Sequence, residues 1–290
     1  MLHGSTRTWL AGGCALLGLA APFLAAGDDP KEILRRALRM NSHNHELERT
    51  YTYVERDEQR TLDGKGAVTH RQSTTWDVIP LEKSMYRRLI QRDDKPLSPK
   101  EERQQEAARQ KREAERREKE ALRAGETPDE RQKRLAAEER AHQQEQRDMD
   151  DIVDGFDLRL VGEEQIDGIP VWVIEGGARQ GYRFKSSRFV SVVSKMKGRI
   201  WVAKSDYQPV RIDAEFTDSI SFGGFLARIN KGTHMHVEFT YVNGEVWLPK
   251  HISFSVSGRI LLKGLREDGD FTYSGYKKFS AESRLVGSGQ

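Results

Sequence analysis

Two His-x-His pairs, His43/His45 and His234/His236, carry the side chains best suited to metal binding or acid–base chemistry. Residues i and i+2 of a strand point to the same face, so His234 and His236 could share a metal ion with Glu238. That arrangement would make the chain a metal-dependent enzyme. A metal site needs three or four converging ligands with supporting hydrogen bonds, however. We therefore expect these histidines to line a solvated face, and we expect no metal and no cofactor.

The sequence contains no recognisable catalytic motif. It has no Gly-x-Ser-x-Gly nucleophile turn, and its nearest approach to a His-Glu-x-x-His zinc motif, His45 to Arg49, lacks the final histidine. It also lacks a glycine-rich loop that could cradle phosphates. Cys14 is the only cysteine and lies in a segment that we expect to be removed, which excludes thiol catalysis in the mature chain. We predict no catalytic residue and a protein that is not an enzyme.

The N-terminus has the order of features that is typical of a secretory signal peptide. Arg7 precedes an apolar run over residues 9–24, and small residues follow at 25–27. We predict a cleaved signal peptide over residues 1–27 and a mature, disulfide-free chain in the periplasm. A retained membrane anchor is one alternative, although the run is short and rich in Gly and Ala. Lipidation of Cys14 is another, although the apolar run continues beyond this cysteine.

Charge is nearly balanced along the chain, because 48 basic and 45 acidic residues give a net charge of +3. A protein that binds nucleic-acid phosphates concentrates its basic residues on one face or in one run, and no unopposed basic run occurs here. We therefore predict no nucleic-acid partner. The charged fraction of 32% comes mainly from residues 98–150, which we call the charged arm. The remainder of the chain keeps enough apolar residues for a core.

Outside the charged arm, residues 28–97 and 151–290 predict one mainly β domain. A helix from Pro30 to about Leu47 has apolar residues at helical spacing, and strand patterns follow it. In several strands between residues 210 and 257 apolar and polar residues alternate, which is typical of an antiparallel sheet with one apolar and one solvated face. About ten such strands in one sheet will curl strongly. A concave apolar face with few helices to cover it invites a ligand or a lid.

The charged arm predicts a helical hairpin inserted between two strands. Residues 98–101 (SPKE) and 127–130 (TPDE) each combine a capping box with proline at the first helical position. Gly125 predicts the stop between two helices, at about 99–124 and 128–152. Neither helix carries a sustained apolar seam, so we expect a solvent-exposed insertion. An arm that docks an envelope protein is the alternative interpretation.

Two hairpins resemble those of a known family. Residues 198–202 (GRIWV) and 206–211 (DYQPVR) resemble the central hairpin of the outer-membrane lipoprotein-sorting superfamily (LolA/LolB-like), where a strand carrying Trp meets a turn and Pro-Val-Arg opens the next strand. Residues 243–250 (NGEVWLPK) resemble its later Trp-Leu-Pro hairpin. The similarity extends over most of residues 30–280, apart from the charged arm. It implies a mainly β fold with α, an antiparallel half-barrel of about ten to eleven strands covered by helices. It also implies the binding of acyl chains or another apolar ligand.

We predict a periplasmic protein that holds a lipid, acyl chain or lipoprotein in an apolar concavity, in envelope lipoprotein or lipid sorting and with peripheral contact to a membrane. An apolar trough can hold a lipid without specific polar contacts, because each buried CH2 contributes about 0.8 kcal/mol. The alternative is a non-enzymatic periplasmic interaction or sensor module that uses the charged arm. The residues predicted to line the ligand are Val210, Ile212, Phe216, Val237, Phe239, Ile252 and Phe254.

Overall fold

The computed structural model describes residues 28–81, 84–185, 187–223, 226–261 and 263–279, so the predicted signal peptide and Cys14 lie outside the described residues. Within these ranges the chain forms four helices: α1 (Pro30–Glu48), α2 (Pro99–Ala124), α3 (Pro128–Gly155) and α4 (Arg188–Val193). It forms thirteen strands: β1 (Tyr51–Leu62), β2 (Val68–Leu81), β3 (Ser84–Arg92), β4 (Lys95–Pro96), β5 (Phe156–Ile166), β6 (Ile169–Ala178), β7 (Met196–Ala203), β8 (Pro209–Phe216), β9 (Ile220–Phe222), β10 (Ala227–Ile229), β11 (His234–Val242), β12 (Val246–Ile260) and β13 (Lys263–Lys278).

All of these strands belong to one antiparallel sheet. The main path runs β4-β3-β2-β1-β13-β12-β11-β8-β7-β6-β5, while the short strands β9 and β10 pair with each other and β10 also pairs with β12. Strands β4 and β5 are the two ends of this path, and within the described residues they do not pair, so the sheet stays open. The predicted fold class, an antiparallel half-barrel covered by helices, is confirmed.

The turn between β11 and β12 illustrates how local sequence sets the strand pairing. Asn243 and Gly244 have φ angles of 52° and 70°, the left-handed conformations that a two-residue hairpin turn requires. Asn and Gly adopt these angles at lower cost than other residues, because a short polar side chain or no side chain avoids the steric clash. The Glu245 N–H closes the turn by donating to the Val242 carbonyl at 3.1 Å, and the ladder then begins with the pair of Val242 and Val246.

The core lies where β6 is buried on both of its faces. Trp172 and Ile174 point towards α1 and pack with Val202 of β7. The intervening residues Val171 and Val173 point to the opposite face, where they pack with the two Trp side chains of the motif-bearing hairpins. A strand that is buried on both sides has no need for polar alternation, which explains the continuous run VWVI at 171–174.

Helix α1 is capped at its N-terminal end and bonded to the sheet near its C-terminal end. It begins at Pro30 after Asp29, whose carboxylate accepts a hydrogen bond from the Lys31 N–H at 3.0 Å. Near the C-terminal end, the Asn44 amide donates to the Trp247 carbonyl at 2.7 Å and accepts from the Trp247 N–H at 2.8 Å. Through these two bonds the Asn44 side chain pairs with the backbone of β12 as a neighbouring strand would. Helix α1 thus covers one end of the sheet.

Helices α2 and α3 begin as the sequence predicts. Ser98 with Glu101, and Thr127 with Glu130, form reciprocal capping boxes, in which each Glu side chain also accepts from the backbone N–H of its capping residue. No described residue of α2 is buried, so its exposed character is as expected. Among the described helices, none has both the length and the apolar character needed to span a bilayer.

The last turns of α3 belong to the body of the protein, not to an exposed arm. Val153 is fully buried, and Asp151 accepts hydrogen bonds from the Tyr182 hydroxyl at 2.9 Å and from the Lys185 N–H at 2.8 Å. Asp148 accepts from the Ser187 hydroxyl at the start of α4. Because of these contacts the helix continues to Gly155, three residues beyond the end that the sequence pattern predicts.

The charged arm links the two free edges of the sheet. Strand β4 precedes α2 and strand β5 follows α3, and these strands end the main path on opposite sides. Helices of 26 and 28 residues are about 39 and 42 Å long at 1.5 Å per residue. The arm is therefore a connection across the half-barrel as well as an insertion.

Candidate functional site

The inner strands carry a continuous row of apolar side chains on one face of the sheet. Ile212 of β8 lies directly opposite Val237 of β11, and Val237 lies opposite Ile252 of β12. Ile252 in turn lies opposite Phe271 of β13, so four strands contribute to one row. Alternate residues of the same strands extend this surface in the strand direction. We call the whole surface the apolar strip: Ile212, Phe216, Met235, Val237, Ile252, Phe254 and Phe271.

The apolar strip is open to solvent. Among its members Val237 is buried, Met235 is 37% exposed, and the others are half-buried. None of the seven belongs to the buried apolar clusters found among the described residues. Apolar side chains scattered singly on a surface need no explanation, whereas a contiguous exposed group of this size is typical of a binding site.

Phe254 packs against the backbone of the neighbouring strand β13, and we call its ring the floor of the apolar strip. Its ring is 5.6 Å from the ring of Phe271, measured between centroids. It also lies directly over Gly269 of β13, since a Cβ atom built on that glycine would be 2.3 Å from the Phe254 ring. The missing side chain at Gly269 therefore lets the Phe254 ring lie against the backbone of the neighbouring strand.

The apolar strip is the uncovered continuation of the helix-covered core. Ile174 of β6 lies opposite Ile200 of β7, which lies opposite Ile212, the first member of the strip. Over Ile174 the row is covered by α1, through Ile33 and Ala37. Helix α1 also contacts β12, where Asn44 bonds to Trp247, but none of the buried apolar clusters in the described ranges joins this row to a helix from β8 onwards. One row of the sheet thus changes from protein core to open surface.

At its other end the apolar strip meets a polar cluster. Phe271 lies opposite Asp57 of β1, and Glu55 follows two residues away on the same face. Arg87 of β3 donates to Glu55 at 2.7 Å and to Asp57 at 3.0 Å, and the Trp76 indole N–H donates to Asp57 at 3.1 Å. Burial, reinforced by the neighbouring Asp57, raises the pKa of Glu55 to about 7, so this carboxyl group titrates near neutral pH.

Helix α2 adds positive charge beside this polar cluster. A cavity of about 290 Å³ lies between α2 and the sheet, and its lining includes Trp76 and Arg87 from the strands and Arg109 and Arg112 from the helix. Arg109 is partly neutralised by Glu106, to which it donates at 2.7 Å. This side of the molecule therefore has the apolar strip at one end and three arginines, Arg87, Arg109 and Arg112, at the other.

The opposite face of the same strands is charged. Arg211 and Asp213 of β8 and His236 and Glu238 of β11 alternate with residues of the apolar strip. Burial raises the pKa of Glu238, but the hydrogen bond from His236 and the positive charge of Arg211 outweigh it and leave the pKa below its ordinary value. A shallow groove of about 740 Å³ crosses this face. Its lining includes Arg159, Glu175, Lys197, Arg199, Asp213, Glu215, His234 and His236.

Five of the seven residues predicted to line a ligand lie on the apolar strip, and two lie elsewhere. Val210 is buried with the core valines of β6 and with Trp201, and Phe239 packs against the same cluster. The pairing shifts by one residue at both places, because Val210 is an extra residue of β8 opposite β7 and Lys250 is an extra residue of β12 beside Phe239. A register shift redirects the side chains beyond it, and simple alternation does not reveal it.

Three further features of this face were not predicted from the sequence as parts of a site: Met235, Phe271 and the polar cluster. Met235 and Phe271 continue the alternating apolar pattern, so that pattern contained the signal for them. The polar cluster of Glu55, Asp57 and Arg87 depends on pairing between β1, β2 and β3, and no local motif marks it.

The histidine pairs do not form the metal set that their spacing suggests. His234 is exposed and lies outside the group of close donor atoms, whereas His236 and Glu238 are close to His251 of β12. His45 pairs with Glu48 at the end of α1 at 2.9 Å. The side chain of His43 lies outside the described residues.

No family model and no curated protein matches the sequence. Solved structures similar to this chain include a candidate outer membrane lipoprotein-sorting protein domain from Vibrio parahaemolyticus, at 9% identity and a TM-score of 0.35, over 86% of this chain and 94% of that one. They include a LolA superfamily protein from Nitrosomonas europaea, at 13% identity and a TM-score of 0.27, over 89% and 97%. They also include the MucA/MucB complex of Pseudomonas aeruginosa, at 11% identity and a TM-score of 0.25, over 88% and 100%. Two of these structures carry the name of the superfamily that the sequence resembles.

Proposed function

We propose that this protein binds the acyl chain of a lipid or lipoprotein on the apolar strip. The observation that carries the proposal is the change along one cross-strand row. Ile174 is buried under α1, whereas Ile212 and Ile252 on the same face are half-buried and belong to none of the buried apolar clusters of the described chain. An apolar surface of this kind gains free energy when an apolar ligand removes it from water.

The dimensions of the apolar strip suit a single hydrocarbon tail. From β8 to β13 the row crosses three strand spacings of about 4.8 Å, or about 14 Å in all. Eight methylene groups buried along it would contribute about 6 kcal/mol before the entropic cost of association is subtracted. That gain needs no directional polar contact, which agrees with the absence of hydrogen-bonding groups among the seven strip residues.

The polar end of the face suits an anionic head group. Arg87, Arg109 and Arg112 line one small cavity next to the polar cluster, and arginine is the residue that best matches carboxylate or phosphate oxygens. A ligand with its acyl chain over Phe254 and its anionic head group towards Arg87 would match both the apolar strip and the arginine-lined cavity. The proposal includes export by the predicted signal peptide over residues 1–27, binding in the periplasm, and a role in lipid or lipoprotein sorting.

The test is native mass spectrometry of the protein purified from a bacterial envelope, followed by displacement of a fluorescent fatty acid. Phe254→Glu places a charge on the floor of the apolar strip and should abolish both the bound mass and the fluorescence signal. Ser257→Glu is the matched control, because Ser257 lies on the same strand, on the charged face and opposite Arg266. The proposal fails if the wild-type protein carries no lipid and binds no fatty acid, or if both variants lose binding equally.

A second candidate function is an interaction or sensor role for the charged arm. It is favoured by α2, which extends over 26 residues without one buried position. Deleting residues 98–150 would not test it cleanly, because the arm joins the opposite edges of the sheet. Reversing the charge of exposed residues of α2, such as Lys111→Glu and Lys119→Glu, leaves that connection intact. Loss of a co-purified envelope protein with unchanged lipid binding would support this second function.

A further inference from the structure

On the charged face, two histidines and one glutamate converge in a way that the sequence spacing does not reveal. One ring nitrogen of His236, one ring nitrogen of His251 and one carboxylate oxygen of Glu238 all lie within 4.8 Å of one another. The three side chains are 26–30% exposed, so they are accessible from solvent but partly shielded by their neighbours. This group lies on the opposite side of the sheet from the apolar strip.

The sheet register explains why the three residues meet. His236 and Glu238 are two residues apart on β11, so they share a face. His251 of β12 lies directly opposite Glu238 in the antiparallel ladder. Directly opposed side chains have Cβ atoms about 5 Å apart, which places the third donor beside the first two.

Each imidazole is bonded to a carboxylate through one of its two nitrogens. His236 bonds through Nδ1 to Asp213 of β8, and its Nε2 atom is 3.4 Å from Glu238 Oε1. His251 bonds through Nε2 to Asp270 of β13 at 3.0 Å, so its Nδ1 atom remains available. Histidines that bind metals are commonly oriented in this way by a carboxylate on the second nitrogen. Four neighbouring strands therefore contribute to one arrangement.

We propose that His236, Glu238 and His251 bind a divalent first-row transition metal ion of the Zn²⁺ class. Two imidazole nitrogens and one carboxylate are a ligand set that this class of ion uses, with further positions open to water or to an anionic oxygen ligand. Ligands about 2.0–2.1 Å from a tetrahedral ion lie about 3.3 Å apart. The separation of 3.4 Å between His236 Nε2 and Glu238 Oε1 already meets this requirement.

Arg211 competes with the metal ion for Glu238. Its guanidinium donates to Glu238 Oε1 at 3.1 Å and also lies over the Trp201 ring, at 5.4 Å from the centroid. An arriving ion must share the carboxylate with Arg211 or displace it from one oxygen. The charged groove borders this group, because its lining includes His236 and Asp213. Removing the arginine should therefore strengthen metal binding.

The experiment is calorimetric titration of the metal-free protein with Zn²⁺, together with the visible absorption spectrum of its Co²⁺ form. The proposal predicts one ion per chain and a Co²⁺ spectrum of four- or five-coordinate intensity. His236→Ala, His251→Ala and Glu238→Gln should each weaken binding by tenfold or more. Asp270→Asn, which removes only the support of His251, should weaken it by about tenfold, and Arg211→Met should tighten it.

His234→Ala is the matched control, because His234 is exposed on the same face of the same strand, two residues from His236. It should leave the affinity for Zn²⁺ unchanged. Circular dichroism without metal establishes that each variant is folded. Absence of one-to-one binding, or an equal loss in His234→Ala and His236→Ala, would overturn the proposal and show adventitious binding to surface histidines only.

Discussion

The two faces of strands β8, β11, β12 and β13 are built from alternate residues of the same segments, yet they have opposite chemical character. One face presents the apolar strip, which has few polar groups and no cover from α1. The other presents histidines, carboxylates and arginines that pair with one another across the strands. Since neighbouring residues serve different faces, a substitution at one position can disable one proposed site and spare the other. The same four strands can therefore support two independent sites, one on each face of the sheet.

A second contrast lies along the apolar face itself, between Ile174 under α1 and Ile252 on the open strip. Both are isoleucines of one cross-strand row, and they differ in whether the protein covers them. Ile174→Ala should lower the free energy of unfolding by about 3 kcal/mol, as expected for a buried isoleucine. Ile252→Ala should lower it by about 1 kcal/mol, because water already reaches this side chain. Urea denaturation of the two variants measures the difference.

Equal destabilisation in the two isoleucine variants would contradict the contrast, since it would mean that the strip is buried by the protein itself. Addition of a fatty acid should increase the destabilisation caused by Ile252→Ala, because the ligand stabilises the intact strip of the wild type and of Ile174→Ala more than the strip that lacks Ile252.

Metal binding tests whether the two faces are independent. At a free Zn²⁺ concentration of 100 times Kd, binding should stabilise the folded chain by about 2.7 kcal/mol. The Phe254→Glu variant should keep this stabilisation in full, because Phe254 points away from the metal ligands. His251→Ala should lose it. Thermal unfolding with and without Zn²⁺ measures both, and loss of the metal effect in Phe254→Glu would show that the faces are coupled.

The floor of the apolar strip can be altered with a single methyl group. Gly269→Ala would place a Cβ atom 2.3 Å from the Phe254 ring, so the ring must lift into the space above the strip. We expect a loss of about 1–2 kcal/mol in stability and about tenfold weaker fatty-acid binding. Gly264→Ala is the control on the same strand, because no atom lies within 4 Å of the added carbon. Equal effects in the two variants would argue against a ring that lies on Gly269.

The polar end of the apolar face should make stability depend on pH. The pKa of Glu55 is raised from 4.5 to about 7, so between these values the folded chain binds a proton that the unfolded chain has released. The free energy of unfolding should therefore fall as the pH rises from about 5 to 7, and level off above that range. Glu55→Gln, which imitates the protonated group, should flatten this part of the profile. An unchanged slope in Glu55→Gln would assign the pH dependence to other groups.

Features that depend on a few consecutive residues could be predicted from the sequence. The capping boxes at Ser98 and Thr127, and the hairpin turn at Asn243-Gly244, form as expected because their atoms are local. The one-sided alternation identified most of the apolar strip for the same reason. It did not place Val210 and Phe239, because their strands shift register and side-chain direction then changes without a change in composition.

Features that depend on pairing between distant segments could not be predicted. His251 is far along the hairpin from His236, and their meeting requires the one-residue irregularity between Glu238 and Phe239. The predicted metal set used His234 instead, because spacing within one strand was the available information. Likewise, nothing local in the charged arm shows that its two helices connect opposite edges of the sheet.

The central claim is that an acyl chain lies on the open part of the apolar face. The most direct measurement is photo-crosslinking of the purified protein with a diazirine-bearing fatty acid, followed by peptide mapping. The account predicts labelled residues in β11 and β12 at Met235 and Phe254, with labelling suppressed by unlabelled fatty acid. Labelling confined to α2 or to the charged face, or no labelling that unlabelled fatty acid suppresses, would contradict it.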